Sequence, residues 1–344
     1  MSLFFPMAKQ AIFEKKNILV TGGAGFLGSH LCDELVKTAK VICVDNFVSG
    51  QRSNIEHLLQ NPNFILINHD ITQPLDLMAF SELEQFRVEF QGVQEVYHLA
   101  CPTSPKNFMD QRMATLDTNT LGMKNALEIA RQYNAKFLFA SSSVVYGMRR
   151  LDDPYYLEAF VGALDQYSPR ACYDLGKKFA ETMVHTYHEV YGLRTRVARI
   201  FRTYGPRMQL NNGHMIPDFI VQALQNQELV VYGDETFRTS LCYVSDIVDG
   251  MLRLMGSTHD DMTVNLGSDQ DVPILTVADK IIKLTGSHSQ VRFEAPLLFM
   301  TPLGLPVITT AKDDLGWIPV VTLERGLQLT IDYAKAERSR IGLS

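Results

Sequence analysis

Residues 17–31, NILVTGGAGFLGSHL, decide the fold. A short β-branched run, NILVT, leads into three glycines, Gly22, Gly25 and Gly28, and then directly into a helical pattern. Glycines at this spacing permit a tight turn and close backbone approach. A helix opening just behind them offers unpaired N–H groups and the positive end of its dipole to a phosphate. The pyrophosphate of a dinucleotide is the expected guest, with Phe26, Leu27 and Gly28 supplying the first-turn amides.

Working outward, short apolar runs alternate with amphipathic stretches: KVICVDN, EVYHLA, a helical stretch ending in IARQY, and KFLFASSS. Strands separated by helices predict βαβ units and a doubly wound parallel α/β sheet covered on both faces. Residues 1–16 read as a tail, 17–205 as a Rossmann-type dinucleotide-binding domain, and 206–344 mainly as a smaller substrate-binding lobe with some return to the first domain. Asp45 closes the second strand 17 residues after Gly28. A carboxylate there can hydrogen-bond the adenosine ribose hydroxyls and would repel a 2′-phosphate, which favours NAD over NADP. Asp70, in NHDI, reads either as a partner for the adenine edge or as a helix cap.

Tyr173 and Lys177 form Y-x-x-x-K, which places both side chains on one helix face. Alone, that spacing equally describes an ordinary surface pair. Its position after FLFASSSVVYG adds a strand-end hydroxyl, Ser142, able to share a substrate proton. A lysine ammonium beside a phenol is expected to lower the phenol pKa and make Tyr173 a usable base.

Composition excludes other classes. The formal net charge is −6, against a nucleic-acid surface, which needs clustered cations. No apolar run approaches the roughly 20 residues needed to cross a bilayer. The five cysteines show no C-x-x-C spacing, so neither a metal site nor a disulfide framework is expected, and a cytoplasmic, reducing compartment fits. His98 and Trp317 read as core residues and Cys101 as a small buried one.

TGGAGFLGSHL, DNF, YHLACPTSP, TNTLGMKNAL, SSSVVYG, CYDLGKK, RIFRTYGPRM, VYGDETFRTSLCYVSD, NLGS and LGWIP run in the order seen in extended short-chain dehydrogenases/reductases. The chain resembles that NAD-dependent epimerase/dehydratase family from Asn17 to about Asp332. Within it, the chain is similar to UDP-glucuronic acid decarboxylases through His98 to Pro105, Cys172 to Lys177 and Thr203 to Met208. The resemblance implies a catalytic set of Ser142, Tyr173 and Lys177. It implies NAD contacts from Gly22, Gly25, Phe26, Leu27, Gly28, Asp45, Asn46, Asp70, Ile71, Leu99, Ala100, Asn119, Tyr173 and Lys177. It implies substrate contacts from Pro102, Ser143, Arg202, Thr203, Arg207, Asp218, Tyr232 and Arg238. It further implies a homodimer joined by a four-helix bundle built from the helix before Gln132 and the one holding Tyr173.

The match departs from the family pattern in four places. Val144 stands where decarboxylases and dehydratases carry an acid, which counts against dehydration and weakens decarboxylation less, since a 4-keto group is its own electron sink. Arg202 replaces an Asn, and Asp218 stands where the decarboxylases have Asn. Arg238 comes one position early, with Thr239 in the expected place; on a strand that shift turns the side chain to the opposite face unless a bulge corrects it. The C-terminal phosphate-binding arginine is missing from TPLGLPVIT, so that either Arg202 and Arg207 compensate or the substrate differs from UDP-glucuronate.

The leading expectation is therefore a nucleotide-sugar enzyme working by transient C4 oxidation, most similar to UDP-glucuronate decarboxylase. A nucleotide-sugar 4-epimerase, which needs no acid at position 144, is the alternative within the enzyme class. A catalytically weak NAD- and nucleotide-binding relative is the alternative outside it.

Overall fold

The computed structural model describes residues 15–104, 110–210, 212–297 and 302–337. The expected tail lies, up to residue 14, outside the described residues, as does Pro105 of the His98–Pro105 phrase.

Strand β1, Asn17–Thr21, is buried along its whole length, as a continuous apolar run in the middle of a parallel sheet requires. It pairs with β2 (Lys40–Asp45) on one side and β4 (Glu95–His98) on the other. Beyond β2 lies β3 (Phe64–Asn68); beyond β4 come β5 (Lys136–Ser142), β6 (Thr195–Ile200) and β7 (Met262–Leu266). All seven strands are parallel, in the order β7-β6-β5-β4-β1-β2-β3. This is the doubly wound sheet expected from the sequence. The chain direction across the sheet reverses between β1 and β4, and ligands of such sheets bind beyond the strand C-termini at that reversal.

Helices cover both faces. Helix α1, Phe26–Leu35, buries Leu31, Cys32 and Leu35 against the sheet. Helix α2, Met123–Gln132, and helix α3, Ala171–Tyr191, cover the opposite face. In α3 the buried residues are Tyr173, Gly176, Lys177, Ala180 and Val184, which follow the i, i+3, i+4, i+7, i+11 pattern of a single stripe. The helix ends where Gly192 adopts a left-handed conformation, φ 66°. Arg199 of β6 ties α3 to the sheet by a two-pronged ion pair with Glu181, with Nη2 to Oε2 at 2.7 Å and Nε to Oε1 at 3.0 Å.

After β6 the chain forms helices α4 (Met215–Leu224) and α5 (Val244–Gly256) with short strands between them, β7 returns to the main sheet, and strands on both sides of β7 pair into two-stranded ladders. Trp317 is fully buried here and its indole Nε1 donates to the Asp246 carbonyl at 2.8 Å. All five cysteines are free, and no helix among the described residues is long and apolar enough to cross a membrane.

His98, at the end of β4, is 1 % exposed, stacks near Phe137 and Phe139, and shares a 2.7 Å hydrogen bond with Thr21 Oγ1. Burial and, secondarily, the Lys177 charge pull its pKa down to about 3. The folded ring is thus neutral where the unfolded chain begins to take up a proton, below about 6.5. Its contribution to stability is present above that pH and declines as pH falls toward 3, by at most about 1.4 kcal/mol per pH unit. Urea titrations from pH 7 to pH 4 are expected to show a shallower loss for His98→Gln than for the parent; parallel curves would contradict this.

Candidate active site

A continuous cleft opens at the C-terminal ends of the sheet strands, over the β1/β4 reversal. It has two halves that share Gly22, Gly25, Ser49, Leu99 and Cys101.

The glycine turn forms the floor between the halves. Gly22 has φ 74°, and a Cβ on it would lie 2.7 Å from the Ala100 amide nitrogen. A Cβ on Gly28 would lie 2.1 Å from the Gly22 carbonyl oxygen. Helix α1 starts at Phe26 with no side-chain cap at Gly25, so its first amides face the cleft unpaired by any capping group. Such a cradle, with Phe26, Leu27 and Gly28 on its wall, fits a pyrophosphate.

On the outer half, Asp45 Oδ2 accepts from the Ala24 amide at 2.9 Å and Oδ1 from the Phe47 amide at 2.8 Å. Each oxygen keeps a second lone pair for a hydroxyl donor. Burial pushes this carboxyl up, and the two amides pull it back. Asn46, Asp70, Ile71, Ala100 and Pro102 line the same half. Asp70 Oδ1 accepts from both the amide and the hydroxyl of Thr72, so it caps its own turn while lining the cleft. Burial acts to raise its carboxyl, but these bonds outweigh it and hold the pKa low. With Asp45, Asp70 and Asp117 and, among the described residues, no Lys or Arg on its lining, this half suits an adenosine and opposes a 2′-phosphate.

The inner half has the opposite character. Arg170, Lys177, Arg202 and Arg207 line it together with His214, and among the described residues no Asp or Glu does. Ser142 ends β5 and accepts from the Val144 amide at 3.4 Å, and its hydroxyl acts on the Tyr173 phenol in the lowering direction. One turn along α3, Lys177 Nζ donates to the Ala140 carbonyl at 2.9 Å and lies 5.9 Å from the Tyr173 ring centroid. Ser142, Tyr173 and Lys177 therefore meet at one wall, because β5 ends where the buried stripe of α3 crosses it. Val144 packs directly on Tyr173, among Cys101, Cys172 and Leu303.

The expectation that Lys177 lowers the Tyr173 pKa is not met. Burial pushes the phenol well above its ordinary value, the Cys101 thiol adds to this, and Ser142 and Arg170 act in the lowering direction without offsetting it. The ammonium is directed at a carbonyl rather than at the phenol, and burial lowers its own pKa.

Ser143, Thr203 and Arg207 line the inner half as expected; Arg207 Nη1 is also paired to Asp33 Oδ2 at 2.8 Å. Four expected contacts are not brought to the cleft. Asn119 is buried in a π-helical turn, its amide donating to the Thr115 carbonyl at 2.8 Å and the Cys101 sulfur at 3.2 Å; it braces Cys101 and fits against Gly176. Tyr232 lies in the strand Leu229–Tyr232, paired with Val291–Glu294 in an outlying ladder. Asp218 sits in the first turn of α4 and does not line the cleft, where His214 contributes to the wall instead. Arg238 faces outward, 43 % exposed, with Nε 2.7 Å from Asp271 Oδ2, while Thr239 is the buried member of that strand. No bulge restores its direction: Arg238 pairs regularly with Pro273 and Thr239 with Val272.

Sequence reasoning missed Arg170, His214, Gln209 and Asn212, all on the inner wall. Arg170 was within reach, three positions before Tyr173, as the residue capping α3. His214 carries no motif signal. Burial, then the Arg202 charge, brings its pKa down to about 4, so it is neutral.

A profile of the NAD dependent epimerase/dehydratase family matches residues 18–267. The chain is 42 % identical over 325 residues to UDP-glucuronic acid decarboxylase 1 of Xenopus tropicalis, covering 94 % of this chain and 73 % of that protein. It is 37 % identical to UDP-glucuronic acid decarboxylase 6 of Arabidopsis thaliana, covering 94 % and 90 %. Among solved structures, UDP-glucuronic acid 4-epimerase from Bacillus cereus with UDP-glucuronic acid and NAD superposes with a TM-score of 0.81 at 26 % identity, over 93 % of this chain and 99 % of that one. The glycine turn at the head of α1 and the Ser142, Tyr173 and Lys177 wall agree with these matches, and the chain belongs to the NAD dependent epimerase/dehydratase family.

Proposed function

We propose that the protein decarboxylates UDP-glucuronate by transient oxidation at sugar C4. The observation that carries this reading is the meeting of Ser142, Tyr173 and Lys177 at the edge of an inner cleft lined, among the described residues, by four cationic side chains and no carboxylate. An anionic nucleotide sugar suits that wall, and the curated relatives named above are UDP-glucuronic acid decarboxylases.

Bound NAD supplies a reversible hydride acceptor. Gly22, Gly25, Phe26, Leu27 and Gly28 would hold its pyrophosphate, Asp45 its adenosine ribose, and Lys177 would turn from the Ala140 carbonyl toward the other ribose. Tyr173 takes the C4 hydroxyl proton, with Ser142 sharing it, and keeps that proton close for return. Because burial raises the phenol, the positive charge of Arg170 matters: it acts in the lowering direction. A ketone at C4 stands β to the carboxylate, so loss of carbon dioxide needs no acid where Val144 lies. Elimination of water would need one, which sets dehydration aside.

Val144 packed on Tyr173 favours a second reading, 4-epimerisation, which uses the same Ser, Tyr and Lys with no additional acid. Residues 206–344, apart from β7, are proposed as the substrate lobe. A homodimer formed through α2 and α3 is proposed as well, supported by Leu121 and Phe179, both about half exposed. A reducing, cytoplasmic setting is consistent with the free cysteines.

Incubation with NAD and UDP-glucuronate, followed by mass spectrometry and proton NMR, tests the proposal. A product lighter by carbon dioxide supports the decarboxylase. Unchanged mass with inverted C4 establishes the epimerase in its place, and no turnover overturns both.

A further inference from the structure

We infer that Arg202 and Arg170 together form the receptor for a carboxylate carried on the sugar ring, and that this pair makes the site prefer uronates over neutral nucleotide sugars. The inference rests on the nucleotide-sugar reading above and specifies which substrate group meets which residues.

Arg202 follows β6 on the inner wall. Its backbone is fixed, since its carbonyl accepts from the Cys242 amide at 3.0 Å and the next residue, Thr203, starts the ladder with Cys242–Tyr243. The guanidinium lies 5.9 Å from the Phe237 ring centroid, and among the described residues it has neither a carboxylate nor a hydrogen-bond acceptor. Half-buried arginines ordinarily have such a partner, because five N–H donors removed from water are costly to leave unmade. Burial and, next, the charge of Arg170 bring its pKa down to about 10, which records the same frustration: two like charges share one wall. Neutral His214, its other neighbour, adds no negative charge. An anion seated between the two guanidinia would relieve both the desolvation and the repulsion.

The choice between the anions of a nucleotide sugar follows from ring geometry. Arg170 also acts electrostatically on the Tyr173 phenol, so an anion between Arg170 and Arg202 lies on the Tyr173 side of the site. In a pyranose whose C4 hydroxyl meets Tyr173, the substituent on C5 is adjacent, whereas the diphosphate on C1 is across the ring. The anion held here is therefore a C5 carboxylate. Arg170 keeps its ion pair with Asp174 at 3.1 Å, which orients the guanidinium from the end of α3.

The test compares binding of UDP, UDP-glucose and UDP-glucuronate by calorimetry to the NAD-loaded full chain. The parent is expected to bind UDP-glucuronate more tightly than UDP-glucose. Arg202→Gln is expected to weaken UDP-glucuronate roughly 10- to 100-fold, the worth of a charge-assisted pair, and to leave UDP and UDP-glucose unchanged. Unchanged UDP binding also shows that the variant is folded, and Arg202→Lys should recover part of the loss. An equal loss for all three ligands would assign Arg202 to the diphosphate and overturn the inference. So would a parent that binds UDP-glucose as well as UDP-glucuronate. A parent that binds none of the three sinks the nucleotide-sugar reading itself.

Discussion

Tyr173→Phe is expected to reduce turnover roughly a thousandfold while leaving the affinities for NAD and for the nucleotide sugar close to those of the parent. The change removes one oxygen, the one on which the Ser142 hydroxyl acts. What remains is a phenyl ring packed among Val144, Cys101, Cys172 and Leu303, contacts made by carbon and sulfur that the substitution does not touch. Steady-state kinetics and equilibrium binding measured on the same preparation separate the two effects. A matching fall in binding would make Tyr173 a docking residue. Undiminished turnover would remove it from the chemistry and favour a protein that binds NAD and a nucleotide without turning them over.

Gly28→Ala should weaken NAD binding on the order of 100-fold or more, because displacing a positioning group by about an ångström costs that much. The added carbon would stand 2.1 Å from the Gly22 carbonyl oxygen and 2.8 Å from the Gly23 Cα. Both obstacles are backbone, so no side chain can swing aside, and the loop and the start of α1 must separate. The unpaired amides of Phe26 and Leu27 would then leave the position that the cradle gives them. Gly256→Ala provides the control: at the end of α5 an added Cβ meets nothing within 4 Å, and thermal stability should hold or rise. Fluorescence titration with NAD and thermal melts of both variants check the pair. NAD affinity undiminished in Gly28→Ala would mean the loop is not the pyrophosphate seat.

The expected residues that the fold brings to the cleft and those it does not differ in how far along the chain their geometry is set. Gly22, Gly25, Gly28 and the first turn of α1 are one local unit, with the Gly25 amide bonded back to the Gly22 carbonyl at 3.1 Å. Asp45 is tied to the same unit by its bond from the Ala24 amide. Tyr173 and Lys177 share a stripe of α3 by helix period alone. Such features are legible because the interactions that set them lie within a few residues or follow a fixed repeat.

Arg238, Tyr232, Asp218 and Asn119 failed for the converse reason. Whether Arg238 turns inward depends on the strand register against Val272–Pro273 and on Asp271, 33 positions away, competing for its guanidinium. Asn119 carries an ordinary polar side chain whose donors the fold spends on Thr115 and Cys101. The inner wall was equally hidden: Arg170, Arg202 and His214 converge from the end of α3, the end of β6 and the turn before α4, and no motif records that meeting.

The sequence by itself therefore determined the parallel sheet, the glycine turn and the juxtaposition of Ser142, Tyr173 and Lys177, since hydrophobic period, glycine sterics and helix spacing act over short range. Only the tertiary structure decided the sign of the Tyr173 pKa shift, the outward turn of Arg238 and the convergence of the cationic wall. Burial and charge–charge distance are properties of segments brought together from far apart, and no local spacing encodes them.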